Sequence, residues 1–260
     1  GNISSADQWF NTRFDIYAGS AGGNQSDPEF APALNTMIGL TGADAGKCAL
    51  NTNDLKAIRP SNSCASTTGL TAMGFPVDCN QAASTPVGTG VWNVQQYFNS
   101  NHPGLTANPS TYVPEVPSGA TGSGWTAYGP DPVAGATRPT RYQVYKWELA
   151  MLSGAITRPI QAFGRGQMNT TGQVDSAGPR CNKTNPVQFA PDRRTISAVV
   201  VNCAADNVRG SSTVNVIAYV DLFLTAPAVD ATIYGEIIGA TNDSSDVGKE
   251  TRIYTVRLYE

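Results

Sequence analysis

Charged residues are scarce in this chain, and no run of basic residues occurs anywhere in it. Asp, Glu, Lys and Arg make up 14% of the 260 residues, and the formal net charge is −3. A nucleic-acid partner would need a clustered basic surface that releases counterions from the phosphates. The composition therefore excludes nucleic-acid binding as the expected function.

Residues that carry most enzyme chemistry are also few. The chain has one histidine, His102, and none of its five cysteines forms a CxxC pair. A structural zinc site needs four closely placed Cys or His ligands, and the oxygen-rich segment 242–246 lacks the spacing of an EF-hand loop. Neither a GxSxG elbow nor a glycine-rich phosphate loop follows a strand, and His102 lies in a turn-like segment. We therefore expect no enzyme activity, no cofactor and no metal.

Long apolar runs are missing as well. No stretch of about 18 or more apolar residues could span a bilayer, and the sequence has neither an initiator Met nor the apolar core of a signal peptide. We expect a chain without a membrane span, and a processed or truncated product; any membrane anchor would lie upstream.

The cysteines are sparse and widely spaced, which together with the low charge favours an oxidising, extracytoplasmic location. A bond from Cys181 to Cys203 would close a loop of 203 − 181 = 22 residues and would stabilise the fold by roughly 3 kcal/mol. The alternative is that Cys203 is a buried thiol at the end of an apolar strand. We predict a second bond between Cys48 and Cys64, although sequence alone cannot fix connectivity. The odd count leaves one cysteine, such as Cys79, unpaired or bonded between chains.

The composition predicts a folded but loop-rich protein, with 40% hydrophobic residues beside 26 Gly and 17 Pro. Residues 1–137 are punctuated by Gly, Pro, Asn and Ser, and we expect an irregular region pinned by aromatic side chains. Residues 138–260 carry the regular elements. We expect the two regions to form one integrated domain.

One helix start is marked clearly. Thr140 and Gln143 match the S/T-x-x-E/Q capping box, which satisfies free amide groups at the first turn. Tyr142, Tyr145 and Leu149 then fall on one helical face, and Gly154 follows as a stop signal. The pattern predicts a short amphipathic helix packed on an apolar surface.

The C-terminal third supplies that surface as a series of strands. Its β-branched and alternating segments predict strands at 196–203, 214–225, 233–238 and 253–259. The first is a continuous apolar run, typical of a strand that is buried on both faces. The connections are too short for crossover helices, so the sheet should be largely antiparallel and the fold class α+β.

Three carboxylates on regular elements are candidates for chemistry, because two carboxylates suffice for glycoside hydrolysis. These are Glu148, Asp221 and Glu236. Ion pairing is the stronger interpretation: we expect Asp221 to be solvated or paired, and Glu148 to pair with a nearby arginine such as Arg193 or Arg194.

The four tryptophans are spread over otherwise polar stretches. Exposed Trp and Tyr side chains form contact platforms for sugars or proteins. Trp125, which is surrounded by glycines, is predicted to form such a surface together with Tyr128. We expect Trp92 and Trp147 to pack into the core instead.

Several segments together resemble the C-terminal region of TadG-like proteins of bacterial tight-adherence (Flp) pilus systems. They are residues 9–17, 90–104, 141–148 and 191–203. The resemblance singles out a structural motif rather than a ligand set: Arg141, Tyr142, Tyr145, Trp147, Glu148, Arg193 and Arg194. It implies a non-enzymatic, extracytoplasmic role in bacterial pilus assembly, anchoring or adhesion, with protein partners of a pilus or envelope assembly.

Two other functions stay open. The chain could be a self-assembling filament or adhesive subunit, in which the strand at the end of the sequence pairs with a neighbouring copy. It could also be a carbohydrate-binding or carbohydrate-active module, which would use the scattered aromatic residues and carboxylates.

Overall fold

The computed structural model describes residues 6–33, 47–51, 87–88, 94, 112–130, 138–157, 181–183, 191–206, 213–230 and 232–242. Its helices are α1 (Ala6–Asn11) and α2 (Arg141–Ser153). Its strands are β1 (Val87–Gly88), β2 (Thr195–Val201), β3 (Val216–Val229) and β4 (Thr232–Asn242). The strand order is β1-β4-β3-β2, with the last three antiparallel and the short β1 parallel to β4. The predicted α+β class with a largely antiparallel sheet is confirmed.

The tight connection between β3 and β4 explains why these two strands pair along most of their length. Val229 lies opposite Thr232, so only two residues join the strands. Asp230 adopts the left-handed conformation at φ 51°, which Asp tolerates better than most residues and which two-residue hairpin loops need. The hairpin therefore places the end of β3 and the beginning of β4 side by side at one end of the sheet.

Helix α2 begins and ends where its sequence signals predict. The Thr140 hydroxyl accepts the Gln143 amide at 3.0 Å, and the Gln143 side chain accepts the Thr140 amide at 2.9 Å. At the other end Gly154 takes the left-handed conformation, and its amide donates to the carbonyls of Ala150 and Met151. The capping box and the glycine stop are both confirmed.

The helix is not amphipathic, because both of its sides are covered. Tyr145 and Leu149 pack with Phe223 of β3, as predicted. The other side carries Val144 and Trp147, which pack within a second cluster. That cluster is completed by residues from the loop-rich region: Val94, Tyr112, Trp125 and Tyr128. Residues of the loop-rich region therefore cover the side of the helix that we expected to face solvent.

The N-terminal segment covers the sheet next to the hairpin. Asn11 binds the backbone of Ala228 in β3 with both groups of its amide, donating at 2.9 Å and accepting at 2.7 Å. Behind it, a buried cluster joins this segment to the sheet through Phe14, Ile16, Tyr17, Leu50, Cys181 and Leu224. The described parts of both predicted regions thus share one core; the boundary at residue 137 lies outside the described residues.

Among the described cysteines, a disulfide joins Cys48 and Cys181, 133 residues apart in sequence. Both predicted pairs, Cys181 with Cys203 and Cys48 with Cys64, are therefore wrong. The partners meet because the Tyr17 amide donates to the Cys48 carbonyl at 2.7 Å, while the Cys181 amide donates to the Asp15 carboxylate at 2.7 Å. Cys203 is an exposed free thiol, whereas Cys64 and Cys79 lie outside the described residues.

Within the described part of the chain β2 pairs with β3 alone and lies at the edge of the sheet, and it is not buried on both faces. Its first residue, Thr195, lies opposite the buried Phe223, but Ser197, Val199 and Val200 farther along are exposed. The covering layers formed by the described residues lie over the hairpin end of the sheet. The apolar run at 196–203 therefore predicted a strand correctly, but the prediction that this strand is buried on both faces was wrong. The strand predicted at 253–259 lies outside the described residues.

Candidate functional site

The predicted structural motif lies mostly in a buried charged centre beneath helix α2. Glu236 of β4 accepts the Tyr142 amide at 2.9 Å and lies 3.5 Å from the Arg141 guanidinium. A carboxylate at this position satisfies a free amide of the first helical turn and complements the helix dipole. Arg141 and Glu236 are 0% and 1% exposed, so this pair attaches the helix to the sheet.

Arg194 connects three parts of the molecule. Its guanidinium carbon lies 4.5 Å from the centre of the Phe223 ring and 5.0 Å from the Phe14 and Tyr145 rings. Its nitrogens donate to the carbonyls of Leu224 and Thr225. Arginine suits this position because a planar cation stacks on rings while its edge donates hydrogen bonds.

Glu148 and Arg193 complete the motif in different surroundings. Glu148 is buried within helix α2, and its predicted pairing with an arginine stays a prediction. Arg193 is half-buried on the N-terminal side of the sheet, where its Nε donates to the Ala31 carbonyl at 2.8 Å. Six of the seven motif residues thus belong to α2 and the packing around it. Arg193 differs, because it is half-buried and contacts the N-terminal segment at Ala31.

The carboxylates proposed for sugar chemistry are poorly placed to meet a substrate. Glu236 and Glu148 are almost fully buried, and general acids or bases must come within hydrogen-bond reach of the reacting group. Asp221 lies outside the core and accepts the Ser197 hydroxyl at 2.5 Å. A structural role explains the first two, and a strand-to-strand hydrogen bond explains the third.

The predicted aromatic contact surface packs inward. Tyr128 is buried and donates to the Glu115 carbonyl. Trp125 is half-buried, with its ring centre 5.6 Å from Trp147 and 6.2 Å from Tyr112. The prediction of an exposed platform at Trp125 and Tyr128 is wrong, because the glycines around them allow the loop to fold onto helix α2. Trp147 is fully buried, as predicted.

Exposed apolar side chains lie instead where the sheet extends beyond its covering layers. Val199 and Val200 of β2 and Ile217 of β3 are 51%, 37% and 53% exposed; we name these three residues the exposed sheet end. Val199 and Val200 point to opposite faces because they are consecutive in a strand. Among the described residues no strand pairs with the outer edge of β2, so within this part of the chain unpaired backbone groups and exposed apolar side chains lie together.

Sequence reasoning missed this surface, since an uncharged β-branched run is equally typical of an interior strand. The strand lengths give no signal for it, because β2 ends opposite the first residue of β3 and the longer β3 extends past β2 only towards the hairpin.

In comparisons with known proteins, no family model, no curated protein and no solved structure matches the chain. In the described ranges no helix is long and apolar enough to cross a membrane. The same residues contain no group of three or more His, Cys, Asp or Glu side chains that could hold a metal ion.

Proposed function

We propose that this chain is a non-enzymatic, extracytoplasmic protein of a bacterial Flp pilus assembly and that it works through protein contacts at the exposed sheet end. The observation that carries the proposal is the exposure of Val199 and Ile217 beside the outer edge of β2, with which no described strand pairs. The Cys48–Cys181 bond supports an oxidising location. The resemblance of the motif segments to TadG-like proteins supports the pilus system as the context.

The chemistry of the edge favours a protein partner. Exposed edge strands offer unpaired N–H and C=O groups to an incoming strand, and natural proteins usually block them with charge or proline. β2 has the sequence Thr-Ile-Ser-Ala-Val-Val-Val, which contains neither. A partner strand would gain main-chain hydrogen bonds, and the valines would bury apolar surface worth about 25 cal/mol per Å².

The test replaces Val199 by lysine in the parent cells. A lysine at an exposed edge should block strand pairing without disturbing the core. We expect Val199→Lys to be exported at normal levels with an unchanged melting temperature, while pili and surface attachment are lost. Val113→Lys is the matched control, since Val113 is 74% exposed and lies in the loop-rich region. Normal pili in the Val199 variant would refute a role for this edge.

A second candidate function is a subunit that assembles with itself, which the same outer edge of β2 also favours. In that case the purified chain alone should form chains or filaments through β2. Electron microscopy and light scattering separate the two functions: monomers at high concentration support contact with other proteins, and filaments abolished by Val199→Lys support self-assembly.

A further inference from the structure

The topology of the sheet favours one position for a further strand. Strands β2, β3 and β4 follow one another along the chain and pair in that order, each antiparallel to the one before. In a Greek key, three strands of this kind are joined by a fourth, which returns through a longer connection and lies beside the first. That position is the outer edge of β2, with which no described strand pairs. The outer edge of β4 is already occupied in part, because β1 pairs with it at Gly235 and Glu236.

The two faces of the sheet beside this edge differ in chemistry. On one face the Ser197 hydroxyl donates to the Asp221 carboxylate at 2.5 Å. On the other face Ala198 lies opposite Val220, and the next residue of β2 on that face is Val200, which is 37% exposed. Side chains alternate along a strand and interact with their cross-strand neighbours. A strand that fits this edge therefore needs apolar residues at every second position and a cation between them, on the face of Asp221.

The segment that follows β4 in the chain has this pattern. Residues 251–259, which lie outside the described residues, have the sequence Thr-Arg-Ile-Tyr-Thr-Val-Arg-Leu-Tyr. Three alternate residues are apolar or aromatic: Tyr254, Val256 and Leu258. If the segment runs antiparallel to β2 with Arg257 opposite Ser197, these three residues fall on the apolar face and the guanidinium falls on the face of Asp221. A slip of one residue would exchange the two faces, so the pattern favours one register.

The connection from β4 is long enough for this position. Asn242, the last residue of β4, lies opposite Ala218, which in turn lies opposite Val200 near the end of β2. The new strand would therefore start three strand spacings from Asn242, about 14 Å. Residues 243–250 can span up to about 27 Å. A segment of the same chain also has an effective concentration of about millimolar, which favours it over the segment of a second copy.

We propose that residues 251–259 of the same chain bind the outer edge of β2 as an antiparallel strand, and that a protein partner must replace them to pair with β2. Natural proteins cover uncharged strand edges because such edges pair with other chains, and this segment would provide the cover. The second part of the inference rests on the proposed function, whereas the strand pairing is a property of the isolated chain.

The experiment links the two strands at one pair of residues. In the proposed register Val199 lies opposite Thr255, and opposite residues of antiparallel strands are close enough for a disulfide. The full chain carries Val199→Cys and Thr255→Cys, with Cys203→Ser because that thiol is exposed and free. We expect peptide mapping of the unreduced monomer to recover a peptide that links positions 199 and 255. The matched control pairs Val199→Cys with Val256→Cys, whose side chain would point to the other face, and should give no link. Absence of the 199–255 link, its formation between two chains, or equal yields from both pairs would overturn the proposal.

The same variants separate this inference from the proposed function. In parent cells the link between positions 199 and 255 should hold the segment on β2, so we expect pili and surface attachment to be lost, while the control pair at positions 199 and 256 keeps them. Normal pili with the link formed would refute the replacement by a partner and leave the strand pairing in place. Absence of the link together with loss of pili in Val199→Lys cells would refute the strand pairing and leave the proposed function in place.

Discussion

At the scale of single residues, the side chain of Arg194 joins three parts of the fold. It contacts Phe14 of the N-terminal segment, Tyr145 of α2 and Phe223 of β3, and it donates to two carbonyls of β3. A buried cation of this kind is stable only because its hydrogen bonds and ring contacts offset its lost hydration.

Replacing Arg194 by lysine should therefore destabilise the protein strongly although the charge is kept. Lysine cannot stack as a plane or donate to both carbonyls from one edge, and we expect a loss of about 3 kcal/mol in unfolding free energy. Denaturant unfolding measures it, with Arg138→Lys as the exposed control. A loss below about 0.5 kcal/mol, as at ordinary surface sites, would contradict this role.

Tyr128 gives a pH-dependent prediction. Burial, with smaller contributions from Glu115 and Tyr112, raises its pKa to about 12, from the ordinary value of 10. Because the folded pKa is the higher one, the stabilisation is complete below pH 10 and is lost as pH rises towards 12. Tyr128→Phe should be less stable than wild type by about 1 kcal/mol at pH 8, and this difference should shrink between pH 10 and 12. A difference that stays constant to pH 12 would exclude this contribution.

At the scale of elements, helix α2 is fixed at its beginning by a strand. Glu236 lies on β4, accepts the Tyr142 amide and pairs with Arg141. The helix and the sheet are therefore joined by charge at the same place where Tyr145 and Phe223 join them by packing, 5.1 Å between ring centres.

Changing Glu236 to glutamine tests this joint with almost no change in shape. The amide oxygen can still accept the Tyr142 N–H, but the buried Arg141 loses its charged partner. Breaking one side of a buried pair typically costs about 3 to 5 kcal/mol, which thermal or denaturant unfolding would detect. Glu29→Gln, at an exposed site, should change stability by no more than about 0.5 kcal/mol. Equal effects of the two changes would show that the charge of Glu236 is dispensable.

The elements also show which features a sequence can predict. Helix α2 could be predicted closely because Thr140, Gln143 and Gly154 act on their immediate neighbours. The burial of β2 could not, because it depends on where α2 and the N-terminal segment stop covering the sheet. The same holds for Trp125: glycines favour a bend, but only the position of Trp147 decides which way the ring points.

At the scale of the whole molecule, one disulfide joins the loop-rich region to the segment before the sheet. Residue spacing favoured Cys181 with Cys203, but the hydrogen bonds of Tyr17 and Asp15 place Cys48 beside Cys181 instead. Such long-range pairings are set by the folded chain and are not readable from spacing. The loop-rich region is therefore attached by the Cys48–Cys181 bond, which no local sequence pattern predicts.

Peptide mapping of the unreduced protein should recover a linked pair containing Cys48 and Cys181. The double variant Cys48→Ser, Cys181→Ser should lose about 5 kcal/mol of stability, as expected for a bond that closes a loop of more than 100 residues. Cys203→Ser is the control and should be neutral, since this thiol is exposed and free. A linked Cys181–Cys203 peptide would contradict the fold of the N-terminal segment.

The central claim is that the exposed sheet end contacts proteins of a pilus assembly. Site-specific photo-crosslinking in living parent cells tests it most directly, with the probe at Ile217 and a control probe at Val113, both exposed. We predict a discrete adduct at position 217 whose second component is identified by mass spectrometry as a pilus-assembly protein, and none at position 113. No adduct at position 217, or the same adducts at both positions, would contradict the claim.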